Sequence, residues 1–292
     1  MNRVSKKIEQ GFACSASDRK ADAPALGVTL RPKCLRPFRR FEPLMVILAL
    51  LAFWQFVLTQ PALSGILPTR FLGSPLEAWE AFLRLASDGY HGTPLYEEVL
   101  ARVGRVLTGY AIGASLAVPL GLLLGLRTEL GRLVLPIFNF LRPIPALAFI
   151  PAAIIWFGIG ESGKIFVIAS TSFLYTILGA SAGVSSVPTA YRKFAANYNL
   201  STRDTLVHVI FPASLPPIII GLRTALALAW ATVVAAELIA AQKGLGYMIM
   251  DAATFFQINV VYVGIAFIGL IGTIMDQTFA LVHRRVLHWV GK

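Results

Sequence analysis

Charged residues are scarce in this sequence: Asp, Glu, Lys and Arg make up 14% of its 292 residues, against about 25% in a typical soluble domain. Cysteine is scarcer still, with two residues, Cys14 and Cys34, both in the polar N-terminal stretch. No cluster of further metal-ligating residues accompanies these cysteines, and the four histidines are scattered along the chain. No metal site is therefore predicted. These absences argue against an enzyme that acts alone.

Acidic residues are also few, with 15 Asp and Glu against 26 Lys and Arg, which gives a formal net charge of +11. The basic residues lie at the ends of apolar blocks, as the positive-inside rule requires, rather than on one nucleic-acid-binding surface. Apolar residues make up 56% of the chain, and the mean hydropathy is +0.69. We therefore expect a membrane protein in contact with lipid, and no nucleic-acid partner.

The apolar residues fall into six blocks, which predict six transmembrane helices of roughly 20 residues each. Their ranges are 43–60, 105–126, 133–157, 163–184, 215–239 and 260–282. Placing the N-terminus in the cytosol puts every segment rich in Lys and Arg inside. We therefore expect both termini to be cytoplasmic.

The connecting segments complete the predicted organisation. Residues 1–42 form a basic cytosolic tail that is expected to be disordered, and residues 286–292 form the cytosolic C-terminus. Residues 61–98 are expected outside and contain apolar residues at helical spacing, which indicates an amphipathic helix. Residues 99–285 then form a core with five of the six spans.

The second span carries small residues on one face at intervals of four. They are Gly109, Gly113, Ala117, Gly121 and Gly125. Such a stripe lets another helix approach closely.

The third span is interrupted by Pro143 and Pro145, which remove two backbone donors. A break at membrane depth is tolerated where it lines a cavity or is buried in protein, so we place it beside a translocation path. Glu237 in the fifth span is either a residue of that path or part of a structural ion pair, and the sequence leaves both open. Arg142 lies next to the break. Either it attracts an anion, or its charge follows from its proximity to the cytosolic side, as the positive-inside rule expects.

The string Gly158-Ile-Gly-Glu-Ser-Gly-Lys-Ile165 matches G-x-G-x-x-G and nearly matches a phosphate-binding loop. Both motifs need a preceding strand within a soluble nucleotide-binding domain. Because two membrane spans flank this string, we interpret it as a tight turn before the fourth span.

The segment 185–214 lies between two spans on the predicted cytosolic side. Its end resembles the cytoplasmic E-A-A-x3-G-x9-I-x-L-P loop of permeases from binding-protein-dependent ABC importers. Counting back from Pro212 places Phe211 at the Leu position, Val209 at the Ile position and Asn199 at the Gly position. Lys193, Phe194 and Ala195 then occupy the E-A-A positions.

The resemblance extends over roughly residues 66–285 and is strongest to the nitrate/taurine/alkanesulfonate group. Strings that are similar in order and spacing include Arg142-Pro-Ile-Pro145, Trp156-Phe-Gly-Ile-Gly160 and Ala236-Glu-Leu-Ile239. The resemblance implies an all-α membrane protein with six transmembrane helices in the MetI-like architecture of type I ABC importer permeases. It also implies location in a bacterial inner membrane.

The resemblance further implies that two copies form the pore, as a homodimer. A separate cytoplasmic ATPase would hold ATP and Mg²⁺ and would dock on a coupling helix at 188–201. This chain would bind no cofactor, and a periplasmic binding protein would deliver a small solute such as nitrate, taurine or an alkanesulfonate. The departure at Lys193 reverses the charge at the expected ATPase contact.

Two other hypotheses stay open on the sequence alone. A stand-alone secondary transporter or channel would usually carry internal repeats or several charges inside its spans, and Glu237 is the one charge identified well inside a span. A membrane enzyme would need a constellation of polar groups that the sequence does not reveal.

Overall fold

The computed structural model describes residues 42–59, 73–240 and 243–288, and every regular element in these ranges is helical. The chain divides into two units, Met1–Ala49 and Leu50–Lys292. Of the first unit, the structure describes only the beginning of one helix. Almost all of the predicted tail 1–42, including Cys14 and Cys34, lies outside the described residues, as do 60–72, 241–242 and 289–292.

Eleven α-helices are described. They are α1 Glu42–Thr59, α2 Pro75–Asp88, α3 Leu95–Leu126, α4 Thr128–Leu141, α5 Ile150–Phe157, α6 Glu161–Ser185, α7 Thr189–Asn197, α8 Thr202–Asp204, α9 Phe211–Ala240, α10 Leu245–Thr254 and α11 Ile258–Val286. A 3₁₀ turn, Ala146–Phe149, precedes α5, and a π-helical segment, Thr205–Ile210, joins α8 to α9.

Four of the described helical stretches are long and apolar enough to cross a bilayer: Leu95–Leu126, Glu161–Ser185, Thr202–Glu237 and Ile258–Val286. The pair Thr128–Leu141 and Ala146–Phe157 passes the same test together but bends by 93°, so it gives a fifth span when it is counted as one. The apolar part of α1, Met45–Thr59, is shorter. The all-helical membrane fold is thus confirmed, while the sixth span stays a prediction.

Two element boundaries differ from the sequence expectation. Helix α3 begins at Leu95, ten residues before the predicted start at 105, because Arg102 is buried in an ion pair with Glu237 and the buried Glu98 accepts the backbone N–H of Gly244. Helix α9 begins at Phe211, four residues before the predicted start at 215, and contains Pro216 and Pro217. The carbonyls that these prolines leave without helical donors belong to Pro212 and Ala213, and both residues line an open cleft that water can enter.

Helices α3, α6 and α9 pack closely through small residues. A methyl group at Gly121 would lie 2.6 Å from Cβ of Ala180, and one at Gly125 would lie 2.6 Å from Cβ of Val184, so the predicted stripe of α3 faces α6. Gly179 of α6 meets Gly221 of α9 in the same way. Gly183 of α6 meets Ile218 of α9, so the pairings run in opposite directions along these two helices. Helices α3 and α6 are therefore parallel, and α9 is antiparallel to both.

Candidate functional site

The segment expected to contact the ATPase forms a short helix with a well-defined end. Helix α7 spans Thr189–Asn197, inside the predicted range 188–201. Asn199 adopts φ of +50°, and the N–H groups of Leu200 and Asn199 donate to the carbonyls of Ala195 and Ala196, both at 3.0 Å. This pattern is a Schellman motif, which requires a left-handed residue at its turn. Asn tolerates that conformation, which fits the placement of Asn199 at the Gly position of the resembling loop.

Helix α7 has one anchored face and one open face. Ala195 is 2% exposed, whereas Tyr191, Phe194 and Tyr198 are 49%, 52% and 68% exposed. The rings of Phe194 and Tyr198 pack with their centroids 4.5 Å apart. An exposed aromatic cluster on a short helix has the composition of a protein-binding surface, because such surfaces are enriched in Tyr and Phe.

A cleft of about 610 Å³ lies between α7 and the start of α9. It brings together Phe194, Val209 and Pro212, three of the residues singled out from the sequence, with Tyr191 and His208 beside them. Lys193 is exposed on α7, and Phe211, 37% exposed, is the first residue of α9.

The proline break lines the largest cavity described here, of about 820 Å³. Pro143 and Pro145 both border it, together with parts of α3, α6 and α9. Arg142, at the end of α4, is a lining residue as well. The Tyr175 hydroxyl donates to the Arg142 carbonyl at 3.4 Å, and the Arg142 guanidinium lies 5.7 Å from the centroid of the Tyr175 ring.

Glu237 is absent from the lining of that cavity and belongs to a buried charge network at the end of the bundle opposite α7. Its carboxylate accepts hydrogen bonds from Arg102 and Arg105, both at 2.8 Å, and from the backbone N–H of Gly246 at 2.9 Å. Of the two roles that the sequence left open for Glu237, the structure therefore supports the structural ion pair.

Further charged groups complete the network. Arg105 also donates to both oxygens of Glu161, at 2.5 and 2.9 Å, and Lys164 donates to Glu161 at 2.9 Å. Glu98 accepts the backbone N–H of Gly244. The guanidinium carbon of Arg102 lies 4.4 Å from the centroid of the Trp230 ring. Together these contacts tie α3, α6, α9 and the segment before α10 into one cluster.

Sequence reasoning missed most of this network, although one signal was present. Glu98, Arg102 and Arg105 recur at spacings of four and three, which places them on one helical face. It also missed Asp276, which lies inside the sixth predicted span and accepts two hydrogen bonds from Arg223, at 2.6 and 2.7 Å. The prediction that Glu237 is the one charge well inside a span was therefore wrong.

The nucleotide-like string 158–165 runs from the end of α5 into the first turns of α6. The element before it is a helix rather than the strand that a phosphate-binding loop follows. Its lysine, Lys164, is 5% exposed and paired with Glu161. The geometry is that of a turn between two helices.

A smaller polar cluster lies outside the membrane-spanning segments. The Tyr90 hydroxyl donates to Asp251 at 2.6 Å, and Nε2 of His91 lies 3.0 Å from the same carboxylate oxygen. The hydrogen bond from Tyr90, assisted by His91, lowers the pKa of the Asp251 carboxyl below its usual value. Burial and the neighbouring carboxylate raise the pKa of Tyr90.

Comparison with known proteins identifies the family. Residues 117–288 match the family described as "Binding-protein-dependent transport system inner membrane component". The chain is 35% identical over 244 residues to the taurine transport system permease protein TauC of Escherichia coli, covering 83% of this chain and 87% of the relative. It is 36% identical over 250 residues to the putative aliphatic sulfonates transport permease protein SsuC of the same species, covering 86% and 92%.

A bicarbonate transport system permease protein, CmpB of Synechococcus elongatus, is 32% identical over 194 residues, covering 66% of this chain and 70% of the relative. A solved structure of the MetNI methionine ABC transporter matches with a TM-score of 0.59 and 17% identity, covering 66% of this chain and 95% of that one. That likeness shows the shared fold. The chain belongs to the family of inner-membrane components of binding-protein-dependent transport systems, and it is a multi-pass permease subunit of an ABC importer.

Proposed function

We propose that this permease forms half of a translocation path and is driven by a separate cytoplasmic ATPase that docks on the segment 188–201. The observation that carries the proposal is the open aromatic face of α7. Three aromatic side chains are about half exposed or more, while Ala195 anchors the helix to the bundle. No described segment of this chain covers that face.

The cleft beside α7 supports the same assignment. Its walls come from α7, from the π-helical segment and from the first turn of α9, so a partner seated here contacts the start of a crossing helix directly. A displacement of the partner would then be transmitted to α9. Val209 and Pro212 are the residues through which we expect this coupling, and ATP and Mg²⁺ belong to the partner.

Family membership supports two further partners. The family description names a binding protein, and we propose that such a protein delivers the solute at the end of the bundle that carries the charge network. A second copy of this chain would supply the other half of the path. Both termini are then cytoplasmic, on the same side as α7.

We propose a small solute that carries an oxyanion group such as a sulfonate, because relatives are named for taurine, which is an aminosulfonate, and for aliphatic sulfonates. The cavity at the proline break, with Pro143 and Pro145 in its wall, is the proposed site of passage. This chain has the role of a transport subunit without an ATPase site of its own.

The test is co-purification of the full-length chain with its ATPase. We expect the double variant Phe194→Ala/Tyr198→Ala to lose at least about tenfold in retained ATPase, since aromatic anchors each contribute about 2 kcal/mol at interfaces. Tyr96→Ala is the matched control, because Tyr96 is 63% exposed at the opposite end of the bundle. Equal retention by the double variant and the control would refute the docking assignment.

Lys193 offers a second, narrower test of the same surface. Replacing it with Glu restores the charge of the resembling loop. We expect Lys193→Glu to change ATPase retention in the native pair, because the native partner has to accommodate a cation at this position. Unchanged retention would mean that Lys193 does not contact the ATPase, and the proposed role of Phe194 and Tyr198 would stand.

A further inference from the structure

Arg142 differs from the cations of the neighbouring crossing helices in having no carboxylate partner. Every Lys and Arg of α3, α6 and α9 has a carboxylate oxygen within 4 Å. These residues are Arg102, Arg105, Lys164 and Arg223. The described contact of the Arg142 guanidinium is the Tyr175 ring, at 5.7 Å, and no carboxylate of the described residues lies within ion-pair distance.

Arg142 is also far from both ends of the bundle. Its carbonyl accepts a hydrogen bond from Tyr175, which lies ten residues before the end of the 25-residue helix α6. At 1.5 Å per residue, Tyr175 is about 15 Å from one end of α6 and about 21 Å from the other. The position of Arg142 is therefore near the middle of the span, and sidedness does not explain its charge. Lipid headgroups do not reach this depth.

The surroundings of Arg142 select for an anion with an apolar part. Among the residues that line the 820 Å³ cavity, Arg142 is the one that carries a charge. Hydroxyl groups of Ser170, Thr171 and Thr232 share the wall, and the remainder is largely aliphatic and aromatic. A charge inside a membrane protein normally faces a partner or a water-filled path.

We infer that Arg142 forms an anion-binding subsite in the cavity at the proline break, for a monovalent oxyanion such as a sulfonate or carboxylate with a short apolar substituent. The guanidinium would bind the oxygens of the anion, and the apolar wall would contact the substituent. Tyr175 positions Arg142 through its hydroxyl and its ring. This inference rests on the proposed function and adds a specific residue and ligand class to it.

The test measures the sign of the potential in the cavity and does not require knowledge of the solute. In the full-length chain with its ATPase, Cys14 and Cys34 are replaced by Ser, and Ser170→Cys introduces one thiol in the cavity wall. Reaction rates are measured with two methanethiosulfonates, one carrying an ethylsulfonate anion and one carrying a trimethylammonium cation. The sulfonate reagent is itself a small organic oxyanion of the proposed class.

We expect Arg142→Gln to lower the ratio of the anion rate to the cation rate by at least about tenfold, because loss of one positive charge slows the anionic reagent and speeds the cationic one. Arg142→Lys should retain the ratio. A thiol at the exposed Ser87 serves as the control and should be unaffected by either change. If Arg142→Gln fails to reach the membrane, Arg142→Ala replaces it.

An unchanged ratio in Arg142→Gln would overturn the inference. Failure of both reagents to react at position 170 would overturn it as well, because the cavity would then exclude a water-soluble anion. ATPase retention, measured in the same preparations, reports on the proposed function separately. A chain that retains its ATPase but shows no effect of Arg142 would refute the subsite alone.

Discussion

The charge network at one end of the bundle and the cavity at the proline break differ in whether their cationic side chains have carboxylate partners. In the network, two guanidinium groups and the Lys164 amine share the carboxylates of Glu161 and Glu237 at hydrogen-bonding distance. In the cavity, Arg142 has an aromatic ring beside it and no carboxylate among the described residues. Compensated charge fixes the positions of helices, whereas uncompensated charge at membrane depth is available to a ligand.

The largest predicted effect follows from removing the carboxylate that Arg102 and Arg105 share. Glu237→Ala leaves Arg102 without its carboxylate partner in a site where its side chain is 0% exposed. Removing one partner of a buried ion pair costs about 3–5 kcal/mol, so we expect a large loss of folded protein in membranes and of thermal stability in detergent. The measurement is fluorescence-detected size exclusion after a heating series.

Arg142→Gln is the matched comparison for that variant. It also removes a charge from the interior of the membrane region, but the interaction lost is a contact with one aromatic ring, worth on the order of 0.5–1 kcal/mol. We expect its melting curve to lie close to that of the parent. If the two variants were destabilised equally, the distinction between compensated and free charge would be wrong.

The second largest effect is expected from the close packing of α3 on α6. Gly121→Val places a side chain against Ala180 Cβ and the Ile177 carbonyl of α6. Overpacking of this kind typically costs about 1–3 kcal/mol. The heating series that serves the charge variants measures this loss.

Gly104→Val is the control for the packing test. Gly104 lies on the same helix, and a methyl group there would meet no neighbour within 4 Å. We expect it to be tolerated, because the added side chain displaces nothing. Similar losses at both glycines would mean that α3 is sensitive to any bulk, and the close approach of α3 and α6 would not be the cause.

The smallest predicted effect concerns the hydrogen bond from Tyr90 to Asp251. This bond is partly exposed to solvent, unlike the buried ion pair of Arg102 and Glu237. Tyr90→Phe removes one donor to the carboxylate and should cost about 1 kcal/mol at neutral pH. The folded state lowers the pKa of Asp251. The ionised carboxyl of Asp251 therefore stabilises the fold above its unfolded pKa of about 3.9, and this contribution is lost as the pH falls through the lower pKa of the folded state.

The stability difference between the parent and Tyr90→Phe should therefore be present at pH 6 and shrink as the pH is lowered below about 4. Melting curves of the two proteins at pH 6, 5, 4 and 3 measure it. A difference that stays constant over this range would assign the effect of Tyr90 to packing instead of to its hydrogen bond with Asp251.

The sequence predicted those features that depend on local pattern. Apolar blocks located the crossing helices, Pro143 and Pro145 located the break, and the small residues of α3 identified the face that packs on α6. The spacing from Pro212 placed Asn199 at a turn that requires a left-handed residue, as observed. Each of these features is encoded within one helix or one turn.

The features that the sequence did not reveal depend on contacts between distant segments. Arg102 and Glu237 are 135 residues apart, and Arg223 and Asp276 are 53 apart. The early start of α3 follows from the first of these pairs, since a charged helical turn is stable there only when its partners arrive from α9. Pattern within a segment does not specify such partners.

ATP-driven uptake by the reconstituted importer tests the proposed function of the permease in a single measurement. The permease, its ATPase and its binding protein are reconstituted in vesicles, and uptake of labelled taurine and butanesulfonate is followed with and without ATP. We expect uptake that requires both ATP and the ATPase and that is lost in Phe194→Ala/Tyr198→Ala. Uptake by the permease alone, without ATPase or ATP, would contradict it.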